Sequence, residues 1–142
     1  HLIGPLQSNK VRLAVALFDV IETVDREKLA RILAREMKHC GRKLECFVQV
    51  NIGNEPQKAG INVNEAVEFV VHCRKELGLN IVGLMCIPPV EQAPAPYFAL
   101  LHNLAEQAGV KKLSMGMSAD FEVALEIGAS HIRVGTALFG RR

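Results

Sequence analysis

The sequence predicts an α/β fold built on a parallel sheet. Three observations carry this. Apolar, β-branched segments alternate along the chain with segments of helical periodicity. No Asn-Gly or similar hairpin turn joins any two of the strand-like segments. Residues 80–87 (NIVGLMCI) are apolar almost throughout, the pattern of a strand covered on both faces.

Residues 1–4 form a short apolar strand. A polar loop follows, with Ser8 or Asn9 placed to cap a helix over 10–18. Residues 20–24 are strand-like, since Val20, Ile21, Thr23 and Val24 are β-branched. Asp25 is placed to cap a helix that runs to His39, with Leu29, Ile32, Leu33 and Met37 on its inner face and Gly41 at its end. Residues 45–52 are the clearest strand, in which Gln49 and Asn51 fall on one side. After a polar loop over 53–60, Asn64 is placed to cap a helix to Leu77, and Gly78 stops it. The strand over 80–87 ends at Pro88-Pro89, and a helix over 96–108 follows. Residues 112–114 form a strand, 120–127 a helix capped by Ser118 or Asp120, 131–134 the last strand, and 136–140 a short helical turn.

Six strands thus alternate with helices in 142 residues. An eight-unit barrel needs about 250 residues. An open, doubly wound sheet fits the count of a complete chain. A start in the body of a strand at His1, without Met, favours an incomplete barrel.

Composition excludes some function classes. The net charge of +2, with no basic stripe, argues against nucleic-acid binding through bulk charge. No apolar run approaches the ~18 residues of a membrane span, and no signal peptide is visible. Cys40, Cys46, Cys73 and Cys86 form no CxxC pair, and the five histidines have no ligand spacing. They read as reduced, partly buried thiols of a cytoplasmic protein, without a metal site.

Two segments offer chemistry. Lys112–Ser118 (KLSMGMS) and Arg133–Thr136 (RVGT) each read as strand, turn of small residues, and helix start. Such junctions present backbone N–H groups and a positive dipole end to a phosphate. Ser114 and Ser118 add hydroxyls, Gly116 lets a ligand approach the backbone, and Gly135 and Thr136 add two amides and a hydroxyl. A plain βα turn is the alternative for the first segment. Arg133 lies on the same side of its strand as His131. A buried guanidinium costs several kcal/mol unless it meets a carboxylate, a ligand or solvent, and Glu22 is the acid available for a salt bridge. Gln49 and Asn51 read either as ligand-facing groups or as satisfied core amides, Lys58 as a solvated loop charge and Met85 as core.

Four stretches, HLIGPLQSNK, VQVNIGNEPQKAG, GLMCIPP and LSMGMSADFEVALEIGASHIRVGTALFG, resemble the pyridoxal-phosphate homeostasis family. These are barrel proteins similar to the N-terminal domain of alanine racemase. The match runs from His1 to Arg141 in order. The resemblance implies a single incomplete (β/α) barrel over 1–142, about six of eight units, that binds pyridoxal 5′-phosphate. Ser114, Gly116, Met117 and Ser118 match the first phosphate loop, Gly135 and Thr136 the second, and Arg133 the arginine that faces the pyridine nitrogen. Asn51 and Met85 complete the expected cofactor-binding set. The family's cofactor-bonding lysine lies upstream of anything that matches His1, so the covalent lysine is expected to be absent here.

The implied function is a non-catalytic carrier or buffer of intracellular pyridoxal phosphate. Apo pyridoxal-phosphate enzymes are possible recipients, and exposed sheet edges could pair two copies. Neither nucleic acid nor membrane is an expected partner. A racemase-like enzyme is the alternative; it needs an acid or base on the far ring face, and Tyr97 is the sole tyrosine. A phosphosugar enzyme on the same barrel is a third reading, with Glu22 as its one candidate carboxylate.

Overall fold

The strand Val20–Val24 (β1) is buried at all five positions, as its β-branched run demands. The computed structural model describes residues 1–140; Arg141, where the resemblance ends, lies outside them. After β1 come a helix Glu27–Cys40, β2 (Glu45–Asn51), β3 (Ile61–Asn62), a helix Ala66–Lys75, β4 (Asn80–Cys86), a helix Ala95–Ala108, β5 (Lys112–Met117), a helix Phe121–Glu126, β6 (His131–Arg133) and a last turn Thr136–Phe139. Before β1 lie a 3-10 turn Ser8–Lys10 and a helix Val11–Leu17. In this order the helices are α1 (Val11–Leu17), α2, α3, α4, α5 and α6.

The sheet is parallel throughout, in the order β1-β2-β4-β5-β6, with β3 paired to the far end of β2. Helical crossovers account for this, since parallel neighbours cannot be joined by a tight turn. The main core lies between sheet and helices: Ile21, Cys46, Val48, Val50, Leu84 and Cys86 from the strands meet Leu29, Leu33, Val70, Phe98 and Leu101. Val20, Phe47 and Met85 form a second, small cluster. They alternate with the first set along their strands, and so occupy the opposite face of the sheet.

Contacts across that second face separate a barrel from an open sheet. In a flat sheet β1 and β5 stand three strand spacings apart, about 14 Å. Instead the Ser114 hydroxyl on β5 donates to the Glu22 carboxylate on β1. The His131 ring on β6 meets Phe47 on β2 edge-on, with ring centroids 5.3 Å apart. The sheet therefore curls into part of a barrel, and the doubly wound alternative falls.

Several local expectations change. The strand over 1–4 shrinks to one bridge, Leu2 beside Ile21, made by two 2.9 Å bonds: the Leu2 N–H donates to Val20 and the Glu22 N–H to Leu2. Pro5 cannot extend such a ladder. Ser8 and Asn9 lie inside the 3-10 turn, and no side chain caps α1. Asp25 does not cap α2; its carboxylate pairs with the Arg26 guanidinium at 2.5 Å. Asn62, not Asn64, caps the next helical turn, accepting the Asn64 N–H at 2.9 Å. Gly41 closes α2 as expected, in the left-handed region at φ 68°, whereas α3 ends at Lys75, short of Leu77, and Gly78 at φ 67° turns the chain beyond it.

None of the helices among the described residues is long and apolar enough to cross a membrane. No group of three or more His, Cys, Asp or Glu residues among them could hold a metal ion.

Two predictions follow from this packing. A Cβ at Gly83 would strike the Lys112 carbonyl and lie 2.7 Å from the Phe47 ring. Gly83→Ala is expected to cost about 2–4 kcal/mol, read as a lower denaturation midpoint. Burial pushes the Cys46, Cys73 and Cys86 thiols up to about 12. Above pH 9 the unfolded chain loses these protons while the folded chain keeps them. Stability must then fall as pH rises, by up to ~1.4 kcal/mol per pH unit for each thiol. Urea melts between pH 8 and 11 test this; serine at all three positions should flatten the decline.

Candidate functional site

A cleft of about 1020 Å³ opens at the C-terminal ends of β5 and β6, where barrels place their ligand loops. Met117, Ser118, Arg133, Gly135 and Thr136 line it, together with His1, Glu22 and the apolar Ile3, Ile87, Ile132 and Val134. Both segments singled out for chemistry therefore meet at one cavity.

β5 runs further than expected, through Met117, so the first loop begins only at Ser118. Asp120, not Ser118, sits at the start of α5, and its carboxylate accepts the Met117 N–H at 2.6 Å. Ser118 is thereby freed to reach the second loop, where its hydroxyl oxygen accepts the Ala137 N–H at 3.2 Å. That bond ties the two loops together and leaves the Ser118 hydroxyl hydrogen available to an anion. The amides of Gly135 and Thr136 have no hydrogen-bond partner among the described residues.

The two glycines differ in role. A Cβ on Gly135 would meet nothing within 4 Å, so its bare backbone faces open space. A Cβ on Gly116 would lie 2.6 Å from the Ala124 methyl and 3.0 Å from the Phe121 Cα, at a φ of +94°. Gly116 lets α5 lie against β5, so its missing side chain serves packing and not the approach of a ligand.

Arg133 makes no direct salt bridge to Glu22. Its guanidinium donates to the Ser114 hydroxyl and to the Cys86 carbonyl, each at 2.8 Å. Ser114 in turn donates to Glu22. The other Glu22 oxygen lies 2.7 Å from His1 Nδ1. Burial pushes the Arg133 pKa below its ordinary value, while the neighbouring Cys86, Glu22 and Asp120 act the other way. It stays a cation at neutral pH. Ser114 is wholly buried, with its hydroxyl committed to this chain of bonds.

Asn51 and Met85, like Ser114 and Gly116, stand outside the cleft lining. The Asn51 carboxamide organises the loop after β2: it donates to the Glu55 carbonyl at 2.8 Å and accepts the Glu55 N–H at 3.1 Å. Met85 is wholly buried between Val20 and Phe47. Lys58 pairs with Glu55 at 2.6 Å and donates to the Pro88 carbonyl at 3.2 Å. His1, Ile3 and Ile87 line the cleft without having been anticipated. Their signal was weak, since an apolar strand end reads as core.

The family model of the alanine racemase N-terminal domain matches residues 1–142. The chain belongs to that family. Within it, the chain is 38% identical to the pyridoxal phosphate homeostasis protein of Pasteurella multocida, across all of this chain and 65% of that one. It is 39% identical to the protein of the same name from Vibrio cholerae, across all of this chain and 64% of that one. The chain thus spans just under two thirds of these curated relatives. Among solved structures it is similar to PipY of Synechococcus elongatus with PLP bound: TM-score 0.86, 37% identity, 99% of this chain and 69% of that one. This family fold is the curled parallel sheet found here.

Gly116→Ala is expected to destabilise the fold by about 2 kcal/mol or more, and Gly135→Ala by under about 0.5 kcal/mol. Denaturant midpoints of the two variants, compared with the parent, check the distinction.

Proposed function

We propose that this chain binds pyridoxal 5′-phosphate and serves in its intracellular homeostasis as a non-catalytic carrier. The observation that carries the reading is the cleft itself: two loops tied by Ser118, open backbone at Gly135 and a guanidinium at Arg133, all facing one cavity. Relatives named for pyridoxal phosphate homeostasis, and a related structure with PLP bound, support it.

The residues fit the group. Gly135, Thr136 and Ser118 would hold the phosphate through amides and hydroxyls, which suits a dianion. Met117, Ile132 and Val134 offer apolar surface to a ring. Arg133 would stand against the ring nitrogen. When bound, this cofactor acts as an electron sink for carbanions. A cation beside its ring nitrogen disfavours protonation there and weakens the sink. Such a pocket suits holding the cofactor more than turning over substrates. The hydroxyl of Tyr97, the residue a racemase-like reading would need, is bonded to Gln92 outside the cleft lining. A cytoplasmic site of action, apo enzymes as recipients and pairing through sheet edges belong to the same proposal.

Calorimetry with pyridoxine 5′-phosphate tests it, since that ligand lacks the aldehyde and needs no lysine. One saturable site is expected, with inorganic phosphate competing. Arg133→Met should weaken the ring-bearing ligand about tenfold, a loss of ~1.4 kcal/mol. Absence of saturable binding overturns the proposal.

A further inference from the structure

Glu22 is 2% exposed and sits in a strand whose other four residues, Val20, Ile21, Thr23 and Val24, are also buried. For the fold alone an apolar side chain would serve better there, because a buried carboxylate costs several kcal/mol to desolvate. What the acid gains is visible in its bonds. Arg133 donates to Ser114, so the single Ser114 hydroxyl hydrogen must point to Glu22. Glu22 is then an acceptor on that oxygen, and its other oxygen faces His1 Nδ1. The bonds from Arg133 through Ser114 thus run in one direction, ending on the Glu22 carboxylate. With the Cys86 carbonyl as second acceptor, two N–H groups of the guanidinium are fixed. Of its five N–H donors, three remain for the cleft.

We infer that Glu22 is a positioning residue for the cleft: acting through Ser114, it orients the Arg133 guanidinium and makes the cleft prefer a phosphate ester bearing an aromatic ring with an acceptor nitrogen over phosphate alone. The inference rests on the cofactor reading above, but assigns the preference for the ring to a residue that lies three strands from Ser114. Phosphate affinity comes from the loops at 118 and 135–136 and does not pass through Glu22. The two contributions are therefore separable.

The experiment measures the affinities of the chain for pyridoxine 5′-phosphate and for inorganic phosphate in the parent, Glu22→Gln, Ser114→Ala and the double variant. Glu22→Gln keeps the volume but gives up the charge. Each single variant should weaken the ring-bearing ligand by about tenfold and leave inorganic phosphate within about twofold. The double variant should lose no more than either single one, because both act through one chain of bonds. Thermal melts identify a variant that fails to fold; the remaining single variant then carries the comparison. Parent protein that gains nothing from the ring overturns the cofactor reading, and this inference with it. A parent preference for the ring that survives Glu22→Gln or Ser114→Ala, or losses that multiply in the double variant, overturns this inference alone.

Discussion

A buried carboxylate on the first strand and a guanidinium on the last share one serine hydroxyl, an arrangement that only a curled sheet can hold. Glu22, Ser114 and Arg133 lie on β1, β5 and β6, and the bonds among them close only if the sheet curls. Apolar contacts alone would tolerate a range of curvature, since they have no preferred direction. Hydrogen bonds to a buried charge do not, because an unmade bond there leaves an unpaired group in low dielectric. Beside the network the small Val20–Phe47–Met85 cluster fills the remaining space on this face.

The alternation of strands and helices was legible because it is local. β-branched and nearly continuous apolar runs, left-handed glycines after α2 and α3, and the absence of hairpin turns are signals carried by short stretches of chain. Barrel and open sheet share all of those signals. They differ in contacts such as Glu22 to Ser114, 92 residues apart, for which no local pattern exists. The resemblance to a barrel family supplied that information from outside the pattern. Helix starts were misread for a related reason. Asp25 is a good cap by type, yet an adjacent arginine offered its carboxylate a charged partner, and that pairing won. The two-residue strand β3 has too little sequence to announce itself; β2 extends it a partner, and the Cα of Gly60 approaches the Asn51 backbone too closely for any side chain.

Of the residues expected at the cleft, Met117, Ser118, Arg133, Gly135 and Thr136 line it, while Ser114, Gly116, Asn51 and Met85 do not. Small residues near the ends of β5 and β6 do gather there, but for different reasons. Gly116 answers to a helix packed behind it and Gly135 to the open space in front. A sequence shows that a side chain is missing, not which side the vacancy faces. The same limit explains Asn51: a polar residue on the inward side of a strand is equally consistent with a ligand and with its own loop, and the Glu55 backbone claims it.

The cleft is bounded by residues 1–3 beside β1 on one wall and by β6 on the other, so its width is a property of the sheet and not of any single loop. Loops at a strand end can relax independently; two walls joined through the whole curled sheet cannot. A displacement in the middle of the sheet, where β4 and β5 approach closely at Gly83, must therefore be felt where Arg133 meets Ser114. Stability and the width of the cleft are coupled in this protein through the curvature of its strands, and the carboxylate that is costly to bury lies on the wall where that curvature brings β1 to β5.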